Sequence, residues 1–287
     1  MSPSPDTRLR RDPATAARSR ASFRATFAIA ALLALAGCAA HTLPPIENEA
    51  NTLGTARQLI ERRDYTAAIE MLRAYVDRNT GREDVDAAIY LLGEAHLKAK
   101  EPALAQVEFE RLLRDYPESD SSAAAAFQLG AALQDQSRSE DFDQEFTMRA
   151  LDQYERYLRE YPAHSLHGEG TARVAAMRSK LGRKLLNTGN LYVKLRQPEA
   201  ARAYFQRVKD DFSDTPLLGD AEIGLAWADA LAGHKPEAVA ALRDLESRFA
   251  GQPLAHKAAA ERRRIEKFHP PEKKGIPHGT PEGPGAP

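Results

Sequence analysis

Residues 93–117 read GEAHLKAKEPALAQVEFERLLRDYP and contain a pattern that recurs along the chain. A small residue is followed by an alanine and then by three large apolar side chains; the members are Gly93, Ala105, Phe109, Leu112 and Tyr116. Residues three and four positions apart share one face of a helix. Pro102 suits the first turn of a second helix, and Pro117 disfavours helix at the residue before it. The stretch therefore predicts two antiparallel helices that cross at small residues.

The pattern occurs five times, with its alanine at Ala68, Ala105, Ala150, Ala201 and Ala238. Successive alanines are 37, 45, 51 and 37 positions apart, whereas a strict tetratricopeptide repeat has a period of about 34 residues. A single pair cannot bury its apolar face, so the pairs are expected to stack into a superhelix with a concave groove. The sequence thus predicts an all-α fold, a tetratricopeptide-like superhelix of about five antiparallel helix pairs.

The third copy of the pattern is longer than the others. Gly130 lies 20 positions before Ala150, where the other copies have 12, and the extra residues around 136–147 are polar and acidic. This composition predicts a loop inside the third pair. Before the fourth copy, the stretch Gly170–Leu181 is amphipathic at helical spacing, which predicts an additional helical segment that runs into the next helix.

The composition excludes several classes of protein. The 287 residues include 40 Lys and Arg against 41 Asp and Glu, and 43% of the residues are hydrophobic. A near-neutral chain lacks the basic face typical of nucleic-acid binding, so no nucleic-acid partner is expected. Alternating runs of Val, Ile and Thr are absent, which disfavours a sheet protein. The single cysteine excludes a disulfide framework and a cysteine-based zinc site.

The N-terminus has the pattern of a secretory signal peptide. Residues 1–24 contain six arginines and two aspartates, and an uncharged apolar run follows from Ala25 to Gly37. The run ends Leu35-Ala36-Gly37-Cys38, which resembles a bacterial lipobox, so we expect cleavage before Cys38 and a covalent lipid such as palmitate on it. The alternative is an ordinary signal peptide with a chance cysteine. Several acyl chains would give a stable membrane anchor.

These boundaries divide the chain into four parts. Residues 1–37 are predicted to be the signal peptide, 38–49 a lipidated tether, 50–268 the repeat domain, and 269–287 a disordered tail rich in Pro and Gly. Removal of residues 1–37 takes away six arginines and two aspartates, which changes the net charge from −1 to −5. Ala39 follows the cysteine instead of an inner-membrane retention aspartate, which favours the periplasmic face of the outer membrane.

A resemblance to a known family adds to this reading. The phrases that carry it are residues 62–69, RRDYTAAI; residues 113–119, LRDYPES; and residues 157–164, YLREYPAH. Together with the lipobox and the five helix pairs, they make the chain resemble the BamD/YfiO family of outer-membrane assembly lipoproteins over residues 38–250. One departure is the end of the first copy, Arg78-Asn79-Thr80-Gly81, where the family usually has a Tyr-Pro turn.

The resemblance implies a partner and a substrate. Such proteins are non-enzymatic, dock on the barrel assembly protein BamA through their C-terminal repeats, and receive unfolded outer-membrane proteins at their N-terminal groove. Two alternatives stay open. One is a periplasmic tetratricopeptide scaffold lipoprotein of the YbgF/CpoB type, although no heptad run precedes the repeats here. The other is an enzyme or the substrate-binding subunit of one.

Residues with catalytic or metal-binding potential are few. His164 and His167 are the only close histidine pair, and they follow a Tyr-Pro turn without a third ligand nearby, so we interpret them as turn residues. Gly168-Glu169-Gly170 has no preceding strand and no following Lys-Ser or Lys-Thr, which disfavours a phosphate loop. We therefore predict no catalytic residue, no metal site and no cofactor apart from the lipid on Cys38.

The groove is the remaining candidate site. If each small residue marks the helix crossing, the inner face of the first helix falls three positions before it and one, four and five positions after it. Among the residues at these positions, the candidates for contact with a partner are Arg57, Tyr90, Glu94, Lys98, Phe127, Asp135, Asn190, Lys194 and Trp227. Such a mixed lining suits an extended peptide. The alternative is that Tyr90, Phe127 and Trp227 serve only in packing between repeats.

The lipid anchor gives the first prediction. Cys38→Ala removes the only thiol that can carry the lipid, so the protein should lose acylation and leave the membrane fraction. Metabolic labelling with a fatty-acid probe measures this. Undiminished labelling of the variant would exclude Cys38 as the acceptor.

Overall fold

The computed structural model describes residues 51–269, and within them all regular structure is helical. The helices are α1 Thr52–Glu61, α2 Tyr65–Arg78, α3 Val85–Lys98, α4 Pro102–Asp115, α5 Ser122–Gln136, α6 Glu145–Glu160, α7 His167–Lys194, α8 Pro198–Asp211, α9 Leu218–Ala232, α10 Lys235–Arg248 and α11 Pro253–Lys267. The predicted signal peptide, Cys38, the tether and the tail from residue 270 onward lie outside the described residues.

The helices form five successive pairs, from α1 with α2 to α9 with α10, and α11 packs on the last pair. Each helix packs against the next one in the chain, and the first helices of several neighbouring pairs also meet, as α1 meets α3 and α9 meets α11. This arrangement confirms the predicted all-α superhelix of tetratricopeptide type. The alanines of the pattern are all completely buried.

The helices begin and end at the proline and aromatic residues that the sequence pattern indicates. Proline is the first residue of α4, α8 and α11, where its missing N–H would have no partner in the helix. The second helices α4, α6 and α8 end one residue before Tyr116, Tyr161 and Phe212, as the pattern predicts.

The turn inside a pair is also repeated. Seven positions after the small residue, the backbone is left-handed at Arg63, Lys100, Arg196 and Gly233, with φ of 63°, 65°, 56° and 98°. A left-handed residue reverses the chain within three or four positions, so the second helix can return along the first. In the third pair the equivalent position is Ser137, which is extended, with φ of −72° and ψ of 124°, and it opens the longer loop at residues 137–144.

A glycine faces an aromatic ring inside three of the pairs. A Cβ atom on Gly93 would lie 2.7 Å from Phe109 Cε1, and one on Gly189 would lie 2.6 Å from Phe205 Cε1. The third pair repeats the contact between Gly130 and Tyr154, at 2.6 Å. Such distances leave no room for a methyl group, so the ring packs directly on the backbone of the first helix.

In the first and fifth pairs, the two positions of this contact are occupied by residues of different size. Their small residue is Ala56 or Ala226, and the residue in the aromatic position is Leu72 or Leu242. Each alanine is buried in the same apolar cluster as its leucine. Where the residue at the crossing is larger, its partner is therefore smaller, so the combined side-chain volume at the crossing changes little.

Helix α7 is about twice as long as its neighbours. It has 28 residues and spans about 42 Å at 1.5 Å per residue. Gly170, near its beginning, packs against Tyr157 and Leu158 of the third pair, whereas Gly189, near its end, packs against Phe205 of the fourth pair. The predicted extra helical segment therefore continues into the first helix of the fourth pair.

The contact between Gly93 and Phe109 gives the second prediction. Gly93→Ala should destabilise the repeat domain by about 1–3 kcal/mol, because the new methyl group overlaps the ring. Adding Phe109→Leu, which reproduces the Ala and Leu combination of the first and fifth pairs, should recover part of that loss. Urea denaturation of the mature chain measures both effects.

The control is Gly168→Ala in α7, where the added Cβ meets nothing within 4 Å. This change should leave stability unchanged or slightly raised, because alanine favours helix. If the double variant is as unstable as the two single changes added together, the two positions do not share a contact.

Candidate functional site: two cavities on the first helices

The first candidate site is a cavity at the N-terminal end of the superhelix, which we call the N-terminal cavity. Its volume is about 330 Å³, and it lies between α1, α3 and the residue before α5. The lining residues are Arg57, Ile60, Glu61, Ala87, Tyr90, Leu91, Glu94, Lys98 and Ser121. Helices α1 and α3 are first helices of their pairs, which the sequence assigns to the inner face.

Tyr90 forms an aromatic wall of the N-terminal cavity. Its ring centroid lies 6.0 Å from that of Phe109, so one edge of the ring is packed in the core while the rest borders the cavity. Burial raises the pKa of the Tyr90 hydroxyl, and the nearby carboxylate of Glu94 raises it further. The hydroxyl is therefore a neutral hydrogen-bonding group at physiological pH.

The charges of the N-terminal cavity are only partly compensated. Lys98 Nζ lies 2.8 Å from Glu94 Oε1, one turn away on α3. Arg57 is exposed, and neither it nor Glu61 forms an ion pair among residues 51–269. This cavity thus offers an aromatic face with one cation and one anion on α1 that are unpaired among the described residues.

The second candidate site is the C-terminal cavity, between α7, α9 and α11. Its volume is about 480 Å³, which is in the range of ligand pockets. The lining residues are Leu186, Asn190, Val193, Lys194, Asp220, Ile223, Gly224, Trp227, Lys257, Glu261 and Arg264. All three helices are again first helices or, for α11, the helix that closes the array.

One wall of the C-terminal cavity is organised by Glu261. The indole Nε1 of Trp227 donates a hydrogen bond to Glu261 Oε2 at 3.0 Å. Arg264 Nη1 donates to both carboxylate oxygens at 2.8 Å, and its guanidinium carbon lies 5.5 Å from the Trp227 ring centroid. Phe268 packs edge-on to the same ring, with 5.7 Å between centroids. Trp227 is therefore held in one orientation with a face toward the cavity.

The other wall carries Lys194, an exposed cation that has no ion-pair partner between residues 51 and 269. Lys257 Nζ, in contrast, is bound to Asp220 Oδ1 at 2.7 Å. Asn190 lies one turn before Lys194 on α7. Because Leu186, Val193 and Ile223 supply an apolar floor, the cavity suits an apolar group with an acidic or polar group beside it.

The residues predicted for the groove fall into two clusters. The N-terminal cavity is lined by Arg57, Tyr90, Glu94 and Lys98. The C-terminal cavity is lined by Asn190, Lys194 and Trp227. Their contact with a partner stays a prediction.

Two of the predicted groove residues lie elsewhere. Phe127 is 4% exposed, and its ring packs against Tyr154 and Tyr157, with centroids 5.6 and 5.5 Å apart. It belongs to the core, as the packing alternative expects, so its assignment to the groove is wrong. Asp135 borders neither cavity; it is exposed near the end of α5, and its Oδ2 lies 4.0 Å from Lys100 Nζ.

Helix α11 contributes three residues to the C-terminal cavity that the repeated pattern does not mark. Lys257, Glu261 and Arg264 were not among the groove candidates, because α11 follows the fifth copy of the pattern and has no small-residue marker. Their spacing of four and three positions places them on one helical face. That spacing is the one signal that could have identified them.

The two neighbouring histidines lie at the turn before α7 and at its first residue. His164 Nδ1 lies 2.8 Å from the Tyr157 hydroxyl and so fixes the turn before α7, and His167 is the first residue of α7. Within residues 51–269 no cluster of three His, Cys, Asp or Glu side chains has an arrangement that could hold a metal ion. None of the described helices combines the length and apolar character that a membrane crossing needs.

The paired helices with inner-face cavities define the class: a helical-repeat protein of tetratricopeptide type. A family model described as YfiO, outer membrane lipoprotein, matches residues 45–229. The chain therefore belongs to the YfiO family of outer membrane lipoproteins, as its motifs indicate. The comparison with curated proteins finds no match.

Several solved structures are similar to the chain. A thermophilic tetratricopeptide-repeat protein of Thermus thermophilus is 20% identical, with 75% of this chain and 98% of that chain covered and a TM-score of 0.35. A repeat protein of Bacteroides fragilis is 13% identical, with coverages of 76% and 84% and a TM-score of 0.38. A tetratricopeptide-repeat protein of Parabacteroides merdae is 15% identical, with coverages of 76% and 73% and a TM-score of 0.34.

The burial of Phe127 gives the third prediction. Phe127→Ala should destabilise the repeat domain by about 3–5 kcal/mol, because it leaves a cavity between the two tyrosine rings. Leu104→Ala is the control, because Leu104 is 47% exposed on α4 and its truncation should change stability by about 0.5 kcal/mol or less. Equal urea midpoints for the two variants would show that Phe127 is not buried in the core.

Proposed function

We propose that this chain is a non-enzymatic lipoprotein component of the outer-membrane β-barrel assembly complex. It is anchored through lipid on Cys38 to the periplasmic face of the outer membrane, docks on BamA, and receives unfolded outer-membrane proteins. The single observation that carries the proposal is the pair of cavities of different chemistry at opposite ends of one superhelix, in a member of the YfiO family. Two separate sites allow the protein to bind a substrate and an assembly partner at the same time.

We assign substrate binding to the N-terminal cavity. An unfolded barrel strand alternates apolar and polar side chains, and such a segment can place an aromatic or aliphatic side chain against Tyr90. Its polar neighbours can reach Arg57 and Glu61 on α1, which form no ion pair among residues 51–269. The ring of Tyr90 is already packed against Phe109, so little side-chain order has to be gained when a peptide binds.

We assign BamA docking to the C-terminal cavity. Trp227, Glu261 and Arg264 form a hydrogen-bonded wall before any partner arrives, and a preorganised wall suits a folded partner domain. An apolar side chain of that domain can enter between Ile223 and Trp227, and an adjacent acid can pair with Lys194. A central aromatic residue surrounded by polar groups is the usual anatomy of an interface hot spot.

The test uses matched charge reversals, one in each cavity. Arg57→Glu and Lys194→Glu each reverse an exposed cation that has no ion pair among the described residues. We expect Lys194→Glu to lower BamA recovery from gently solubilised membranes about fivefold to tenfold, since an acidic partner group would be repelled. Arg57→Glu should leave BamA recovery unchanged and lower photocrosslinking of unfolded outer-membrane protein at position 94 by a similar factor.

The control is Lys209→Glu on α8, an exposed lysine that borders neither cavity. Point variants are preferable to removal of residues 217–268, because Gly224 covers the ring of the completely buried Phe205 and a truncation would expose it. If Arg57→Glu lowers BamA recovery and Lys194→Glu lowers crosslinking of the unfolded substrate, the two cavities have been assigned to the wrong partners. If BamA is not recovered with the unaltered protein, the assembly role fails and a scaffold role of the YbgF/CpoB type is favoured.

A further inference from the structure

The superhelix is interrupted between its third and fourth pairs. Elsewhere in the array the first helices of neighbouring pairs pack against each other, as α1 does with α3, α3 with α5, and α7 with α9. Helices α5 and α7 have no packing of comparable extent, and neither has any helix of α1–α6 with any helix of α8–α11. Among the described helices, α7 is therefore the element that joins the two ends of the array.

The buried apolar residues divide at the same place. One apolar cluster extends from the first pair to Met177 in the first part of α7. The cluster of the fourth pair begins at Leu185 of the same helix, and it shares α9 with the cluster of the fifth pair. No residue of the segment 178–184 belongs to any of these clusters. We call residues 51–177 the N-terminal half and residues 185–269 the C-terminal half, because each has its own core.

The C-terminal half holds one side of the segment between the two cores. The guanidinium of Arg178 donates to both carboxylate oxygens of Asp214, at 2.8 and 2.7 Å. A Cβ atom on Gly182 would lie 3.0 Å from Leu217 Cδ1, so the backbone of α7 packs closely on the turn after α8. These contacts fasten the segment to the C-terminal half.

The N-terminal half reaches the same segment through the loop at residues 137–144. Lys180 Nζ donates to Ser137 Oγ at 2.6 Å. One turn later on α7, Lys184 Nζ donates to the carbonyl oxygen of Phe142, also at 2.6 Å. The loop therefore fixes the position of α7 from the side of the third pair.

The loop and α7 also share an ion pair. Arg183 Nε lies 3.5 Å from Glu140 Oε1. Arg183 is exposed, and exposed ion pairs contribute little to stability. Lys180 and Lys184 are half-buried, so their hydrogen bonds are the main contacts between the loop and α7.

The loop is stiff because its polar groups are satisfied from inside. The Ser137 hydroxyl, which accepts from Lys180, is hydrogen-bonded to the hydroxyl of Thr147, and Thr147 donates to Gln144 Oε1 at 2.7 Å. Gln144 Nε2 in turn donates to the carbonyl oxygen of Ser139 at 2.8 Å. Thr147 and Gln144 are buried, so breaking these bonds would leave polar groups unsatisfied away from water. The two lysines thus bind a rigid support.

The two cavities lie on opposite sides of the segment 178–184. The N-terminal cavity is formed by α1, α3 and the residue before α5, whereas the C-terminal cavity uses α7 only from Leu186 onward, with α9 and α11. Each cavity is therefore contained in one half. A change in the angle between the halves would move one cavity relative to the other and leave the lining of both unchanged.

The backbone of α7 permits such a change of angle. Long helices curve with a radius of about 60–100 Å, which over the length of α7 corresponds to a bend of about 24–40°. The segment 178–184 also contains Ser179 and Gly182, which are poorer helix formers than alanine. The angle between the halves therefore depends on the contacts at the sides of α7.

We propose that the loop at residues 137–144 is a brace that sets the angle between the two halves, and that it acts through Lys180 and Lys184. With both contacts in place, α7 keeps one curvature. Without them, α7 bends about the segment 178–184 and the separation of the two cavities varies. This inference concerns the chain by itself and does not depend on what either cavity binds.

The test measures the separation of the halves by double electron–electron resonance, in the mature chain with Cys38→Ala. Spin labels at Glu70→Cys on α2 and Lys209→Cys on α8, both exposed positions, report this separation. The chain with an intact brace should give one narrow distance distribution. Lys180→Met combined with Lys184→Met keeps the length of both side chains but removes their donors, so the distribution should become at least twice as wide.

Two label pairs within one half are the controls for the measurement. Glu70→Cys with Arg159→Cys spans the N-terminal half from α2 to α6, and Lys209→Cys with Ala240→Cys spans α8 and α10 of the C-terminal half; all four positions are exposed. The double methionine substitution should leave both of these distributions unchanged, because each half retains its own core.

Arg173→Met is the matched control for the substitution. Arg173 is also a cation of α7, but its Nη2 pairs with Glu169 on the same helix at 2.8 Å. Its loss should leave the distance distribution between the halves unchanged.

Three results would overturn the proposal. One is an equal width between the halves with and without Lys180 and Lys184, and another is an equal broadening in Arg173→Met. The third is broadening within the N-terminal half as large as that between the halves, which would mean that the two lysines stabilise the third pair and not the angle. None of these measurements involves a binding partner, so their outcome is separate from that of the proposed function.

Discussion

The fold depends on one contact, the packing of a ring onto the backbone of the facing helix at a residue without a side chain. Gly93 and Phe109 show it most simply: a methyl group on the glycine would lie 2.7 Å from the ring. With the ring in place, the two helices can be close over their whole length, and the alanines beside the crossing become fully buried. The first and fifth pairs have alanine and leucine at the same two positions. The combined volume of the two side chains at the crossing is therefore similar along the array.

The third pair retains the crossing but changes the turn. Gly130 still faces Tyr154, yet the left-handed residue that closes the other turns is replaced by the extended Ser137. The chain then needs the loop at 137–144 to return, and that loop is stabilised by Gln144 and by lysines of α7. Helix α7 is long enough to pack on the third pair with one half and on the fourth pair with the other. A local change of turn thereby creates a surface that the regular pairs do not have.

Most of the candidate site was predictable because a helix has a fixed period. Once the small residue sets the register, the positions three residues before it and one, four and five residues after it share a face, and Arg57, Tyr90 and Glu94 from these positions line one cavity. The same rule fails for Phe127, because the two tyrosines of α6 draw its ring into the core. Periodicity gives the direction of a side chain only to within tens of degrees, and a large ring moves to whichever neighbouring surface is apolar.

The sequence by itself determined the helix pairs, their ends and the register of the crossings, because proline, glycine and apolar spacing act within a few residues. It also determined the family, through the motifs at the N-terminus and at the ends of the second helices. Only the tertiary structure decided that the groove residues form two cavities, that α11 completes the second one with Glu261 and Arg264, and that Lys194 there has no ion-pair partner in the described chain. Those features depend on how far one helix lies from another, and distances between helices are set by packing of the whole array, which no local pattern records.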